Sequence, residues 1–125
     1  MSPDIRVKRI YEPADDADGA RILIDRLWPR GVRKEGAHLT VWMKEIAPSP
    51  ELRKWFCHDP ALFDEFSFRY RAELDANPAA VAHIDDYLQH GPVTLLYAAH
   101  DPVYNHAVVL ADYLRTALGT RRGSR

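Results

Sequence analysis

The residues best suited to chemistry fall in two short segments. The first is Asp25-Arg26-Leu27-Trp28-Pro29-Arg30-Gly31-Val32-Arg33-Lys34; from Arg21 to Lys34 the cations Arg21, Arg26, Arg30, Arg33 and Lys34 face a single acid, Asp25. Arginine presents a rigid fork of donors that matches a carboxylate or a phosphate. Arg26, Arg30 and the Trp28 indole therefore suit the wall of a pocket for a small anionic or nucleotide-like ligand. The competing interpretation has Asp25 bracing the loop by pairing with one arginine while the other cations stay solvated.

The second segment is Ala99-His100-Asp101-Pro102-Val103-Tyr104-Asn105-His106. Asp101 suits a helix cap, which leaves His100, Asn105 and His106 to meet a ligand. Histidine exchanges a proton near neutral pH, so His106 is the candidate general acid or base, against the alternative of a buried, hydrogen-bonded structural histidine. A third group, Lys44-Glu45 and Arg53 to Trp55, lies between them. Turned inward, Lys44 and Arg53 extend a positive crevice; on the rim they are solvated. Trp42 and Trp55 read as packing residues.

Several chemistries find no support. His58, His100 and His106 lack the spacing of a zinc helix, so no metal site is expected. The single cysteine, Cys57, rules out an internal disulfide, a redox pair and a multi-thiolate zinc site. Its neighbour His58 does not make it a nucleophile, because adjacent side chains do not by that fact face each other. Glycine-rich phosphate loops and the Gly-x-Ser-x-Gly elbow are missing, so no cofactor is identified.

Positioning these groups requires buried strands followed by loops. Arg6 to Tyr11 alternates polar and apolar, as a half-buried strand near a sheet edge does. Arg21 to Trp28 has an uninterrupted Ile-Leu-Ile centre, the pattern of a central strand covered on both faces; Pro29 and Gly31 end it. Val93 to Ala99 reads as another buried strand. Over His38 to Glu45 the alternation of Leu39, Val41 and Met43 fits a strand, but Val41 to Ile46 fits a helical turn equally well.

Helices are announced by a repeated start signal, a capping residue directly before proline: Ser49-Pro50, Asp59-Pro60, Asn77-Pro78 and Asp101-Pro102. Leu62, Phe66, Tyr70 and Leu74 form the apolar stripe of the second helix, and Val81, Ile84 and Leu88 that of the third. Ala107, Leu110, Ala111, Leu114 and Leu118 supply the last. The order predicts a small three-layer α/β domain with a mainly parallel sheet flanked by helices, spanning 1–119, and a flexible basic tail at 120–125. In open sheets of this kind ligands collect beyond the carboxyl ends of the strands, where both chemical segments fall.

Bulk properties agree. A chain of 125 residues is the size of one domain. Lys+Arg 17 against Asp+Glu 18 leaves a formal charge of −1. That balance argues against tight non-specific nucleic-acid binding and against an anionic membrane surface. With no apolar segment long enough to cross a bilayer, a cytoplasmic address is expected. Oligomeric state is not legible.

The motifs Asp25-Arg-Leu-Trp-Pro-Arg-Gly31, Trp42-Met-Lys-Glu-Ile-Ala-Pro48, Leu52-Arg-Lys-Trp-Phe56 with His58-Asp59, and Leu95-Leu-Tyr-Ala-Ala99 with Asp101 and Asn105-His106-Ala107 resemble the YeaO-like branch of the bacterial family called domain of unknown function 488. The resemblance spans Ile5 to Leu114 and implies one small α/β domain in a bacterial cytosol, with no activity attached. In another branch of that family the last strand typically ends in cysteine and the next helix opens with Cys-His-Arg. Tyr97 and Asn105-His106-Ala107 stand at the matching positions here, so only the histidine is retained.

The leading expectation is a site for a small anionic ligand lined by Arg26, Trp28, Arg30, Lys44, Arg53, Asn105 and His106, with enzymatic turnover left open. The alternative is a non-catalytic interaction or regulatory module that contacts protein or nucleic acid through the basic loop 30–34. Salt separates the two, because an interface with many phosphates weakens steeply as salt is added.

Overall fold

The computed structural model describes residues 4–123. Four parallel strands, β1 (Ile5–Arg9), β2 (Ala20–Leu23), β3 (Val41–Trp42) and β4 (Val93–Tyr97), form one sheet in the order β1-β4-β2-β3. The central places go to β4 and β2, whose residues are the most buried, and the alternating β1 lies at an edge. The helices are α1 (Lys34–Ala37), α2 (Pro50–Phe56), α3 (Phe63–Asp75), α4 (Pro78–Leu88) and α5 (His106–Gly123). Residues 124–125, the end of the expected tail, lie outside the described residues, and α5 continues past 119.

Strand parity divides the core. Ile5, Ile22, Ile24, Val93, Leu95 and Tyr97 face the main cluster, which α2 to α5 complete with Leu52, Phe66, Tyr70, Ile84, Leu110 and Leu114. The opposite parity gives a smaller cluster, Ile10, Leu23, Ala37 and Leu96, covered by Trp28, Val32, Leu39 and Trp42. Helices therefore flank both faces, but the second layer is thin: α1 and the loops around it. That face also buries an ionic group. Asp18, 4% exposed, takes Lys8 at 3.1 Å and the Arg21 guanidinium, and its carbonyl accepts from the Thr94 hydroxyl.

The strands are shorter at their carboxyl ends than their apolar runs. The ladder passes through Ile24, whose amide donates to the Leu96 carbonyl, and then Asp25 substitutes its carboxylate for a backbone acceptor by taking the Ala98 amide. The uncertain segment 38–45 is divided: Val41–Trp42 pairs with β2, and Lys44–Ile46 forms a single 3-10 turn.

Three of the four capping signals operate as starts. Ser49 Oγ accepts from the Leu52 amide at α2. Asp59 caps a 3-10 turn, Pro60–Leu62, that leads into α3. At α4, Asn77 precedes the proline, but its amide donates to the Glu45 carbonyl and makes no cap bond. The fourth expectation is corrected. Asp101 closes a tight turn by accepting from the Val103 and Tyr104 amides, and α5 begins only at His106, with Asn105 Oδ1 accepting from the Val108 amide. Asp101 is taken up by its own turn, so the cap falls to Asn105.

Candidate functional site

The neighbouring central strands β4 and β2 send their continuations to opposite faces of the sheet. From β4 the chain runs into α5, on the side of the main core; from β2 it runs into the loop carrying Trp28, Val32 and α1, on the other side. Crevices at such points, beyond the carboxyl ends of parallel strands, are where open α/β sheets bind ligands.

Asp25 and His106 meet there. One carboxylate oxygen of Asp25 accepts from the Ala98 amide at 3.1 Å, tying the end of β2 to the end of β4. The other, Oδ1, lies 3.0 Å from His106 Nε2. That nitrogen is also 3.1 Å from the Ile24 carbonyl oxygen, and the Oδ1 contact lies off the direction of a ring N–H bond, so Oδ1 is buried without a hydrogen bond of its own. Both neighbours of Nε2 are acceptors, so Nε2 carries the hydrogen and Nδ1 is the nitrogen left for other work. Each side chain is 16% exposed, mostly sheltered yet within reach of solvent.

The Tyr70 ring packs edge-on to His106 with centroids 6.4 Å apart, and its hydroxyl donates to the Ile46 carbonyl at 2.7 Å. Burial pushes this hydroxyl well above the usual tyrosine range, and the charges of Glu73 and Asp25 push the same way. Tyr70 is thus a neutral donor that holds the 44–46 turn against α3. Sequence reasoning placed it only on an apolar stripe.

Arg26 spends part of its guanidinium on the main chain. Its Nε donates to the Pro48 carbonyl and Nη2 to the Ala47 carbonyl, at 3.3 and 3.1 Å. Beside it opens a recess of about 170 Å³ whose walls include Glu45, Ser49, Tyr70, Glu73 and Asn77. Glu73 is committed to the amide and hydroxyl of Ser49 at the start of α2.

The expected residues divide into separate neighbourhoods. Arg26, Asn105 and His106 lie around the junction of β2, β4 and α5. Asn105 is buried and spent on capping, with its amide donating to the Asp101 carbonyl. Trp28 lies on the thin face, where its indole N–H donates to the Val32 carbonyl and its ring meets Trp42 edge-on at 5.3 Å. Lys44 sits over the Trp42 ring, 5.1 Å from its centroid. Arg30 is exposed, and its carbonyl accepts from the Tyr11 hydroxyl. Arg53 is exposed on α2.

Two contributors went unread. Asp25 figured only in the competing interpretation, as a brace for one arginine; a carboxylate directly after an Ile-Leu-Ile strand was the available signal. Arg9, at the end of β1, donates to the Ala98 and Ala99 carbonyls and lies over Tyr11. No group of three or more potential metal ligands occurs among the described residues.

A parallel α/β domain with an Asp–His pair between the ends of its two central strands is the class that fold and site define. The chain belongs to the family of domain of unknown function 488, within the group described as the inactive DUF488-N3 subclade, whose model matches residues 4–125. It is 46% identical over 113 residues to the uncharacterized protein YeaO of Escherichia coli, covering 90% of this chain and 98% of that one. To the uncharacterized protein Rv3073c of Mycobacterium tuberculosis it is 44% identical over 110 residues, covering 88% and 92%. No solved structure matches it significantly. At the positions compared above with the cysteine-bearing branch, Tyr97, Asn105 and Ala107 are all buried, so packing and capping groups occupy them. No helix among the described residues is long and apolar enough to cross a membrane.

Proposed function

We infer that this domain binds a small anionic ligand over the junction of β2, β4 and the start of α5, and holds it without turnover. The observation that carries the reading is the Asp25–His106 contact, which draws both strand-end loops into one place. His106 offers its Nδ1 edge there, Nε2 being turned to Asp25 and the Ile24 carbonyl. The N-terminus of α5 adds its partial positive charge. Arg26 donates to carbonyls through Nε and Nη2, which leaves Nη1 to meet a ligand. Glu45 and Glu73 make the adjoining recess unsuited to an anion, which favours the strand ends instead. Binding without turnover accords with the description of the subclade as inactive.

Thermal unfolding against phosphates, nucleotides and small carboxylates tests this. A ligand at about one hundred times its Kd adds about 2.7 kcal/mol, roughly a 10 °C rise at this chain length. The rise should disappear in His106→Ala and shrink in Arg26→Ala. An anion series that moves neither protein, or moves wild type and His106→Ala equally, would overturn the reading.

A further inference from the structure

Some of the described cations are matched to acids, among them Arg6 with Asp4. Lys8 and Arg21 pair with Asp18, Arg69 with Glu65 and Arg71 with Asp112. Like Arg53 and Lys54 on α2, the cations Arg30, Arg33, Lys34 and Lys44 are exposed and have no acidic partner among the described residues. The latter four belong to one surface. Lys44 stands on Trp42, Trp42 packs against Trp28, and the Trp28 N–H holds the Val32 carbonyl of the loop that carries Arg30, Arg33 and Lys34. The Tyr11 hydroxyl then takes the Arg30 carbonyl, and Arg9 lies 4.8 Å from the Tyr11 ring centroid.

The aromatic groups follow the sheet. Tyr11 comes after β1, Trp28 after β2, and Trp42 ends β3, so with the strand order β1-β4-β2-β3 they form a row across the carboxyl edge, on the thinly covered side. Tyr11 is 48% exposed and both indoles are half-buried. A row of partly open rings edged by unpaired cations is the arrangement by which proteins hold single strands: bases stack on the rings and phosphates meet the cations. The overall charge of −1 does not oppose this, because charges of one sign can be gathered on one surface of a near-neutral chain; Glu12, Glu35 and Glu45 are the acids next in sequence to members of the row.

We propose that this aromatic and cationic edge, Tyr11-Trp28-Trp42 with Arg30, Arg33, Lys34 and Lys44, is a docking surface for single-stranded nucleic acid. Four phosphate contacts give a log–log salt slope of about −3 and a non-specific Kd on the order of 10 μM in low salt. Stacking on an indole quenches its fluorescence. The surface adjoins the Asp25–His106 junction, since the Trp42 indole donates to the Asp25 carbonyl, but it uses other side chains and does not rest on the small-ligand reading.

The test measures binding of the full chain to a fluorescein-labelled twelve-nucleotide oligo-dT and to oligo-U of the same length, by anisotropy and by tryptophan quenching. Support is micromolar binding with quenching and the stated slope, weakened at least tenfold in the folded Arg30→Glu/Arg33→Glu variant and unchanged in Lys54→Glu on α2. A Trp28→Ala protein that is folded by circular dichroism should bind about tenfold more weakly. Four results would each overturn the proposal: no binding at 100 μM protein, equal affinity for poly-glutamate, equal affinity for duplex of the same length, or equal affinity for thymidine monophosphate.

Discussion

His106 Nε2 stands 3.0 Å from Asp25 Oδ1 and 3.1 Å from the Ile24 carbonyl, so a single side chain at the first turn of α5 grips the end of β2. Asp25 in turn holds Ala98 at the end of β4. Three segments distant in sequence are locked by two residues, which gives the junction a structural role besides any ligand.

Asp25→Ala leaves the Ala98 amide without its acceptor and removes the carboxylate beside His106, whose Nε2 keeps the Ile24 carbonyl. A loss of about 2–3 kcal/mol is expected, against about 1–2 for His106→Ala. The double variant should cost less than the sum, because the two residues share one interaction. Urea unfolding of the four proteins checks this; strict additivity would show that the contact carries no energy.

Asp18 sets an acid limit. Burial alone would raise its carboxyl, but hydrogen bonds from the Asp15 amide, Lys8 and Arg21 outweigh burial and hold it below the usual carboxylate range. A depressed folded value means the stabilisation is fully present above the unfolded value near 3.9 and is lost as pH falls through the folded one. Stability should therefore drop steeply below about pH 4. Asp18→Asn should lose on the order of 3 kcal/mol at pH 7 and show a shallower acid limb, read from unfolding midpoints between pH 2.5 and 7.

Gly19 joins the 3-10 turn at Asp16–Asp18 to β2 at φ +66°, and an added Cβ would lie 2.1 Å from the Pro92 carbonyl oxygen. That oxygen also accepts from the Ala20 amide, so it cannot withdraw without breaking the start of β2. Gly19→Ala should cost more than about 2 kcal/mol, whereas Gly36→Ala, in open space within α1, should be neutral or mildly stabilising. Thermal midpoints of the two variants measure the contrast.

Tyr113 reports on the α3–α5 contact. Burial first, then its hydrogen bond to Asp75, pushes its hydroxyl up to about 12. A raised folded value contributes stability that is present below the unfolded value near 10 and is lost as pH climbs towards about 12. Tyr113→Phe should lose this alkaline dependence, and ultraviolet titration should show one fewer late-ionising tyrosine.

What the sequence determined by itself was local. Ile22-Leu23-Ile24 and Val93 to Tyr97 are buried strands because nothing polar interrupts them, Ser49-Pro50 starts a helix because cap and proline act within one turn, and the cations of 26–34 are visible as a run. Tertiary structure alone decided the partners. His106 meets Ile24 across 82 positions and Asp25 meets Ala98 across 73, distances at which composition and periodicity carry no information. The same holds for α5, whose start moved from Asp101 to Asn105 because Asp101 spends its carboxylate on its own turn. Arg26 was legible as a cation but not as a donor to Ala47 and Pro48, since those carbonyls come within reach only when the sheet brings the turn after β3 beside the end of β2.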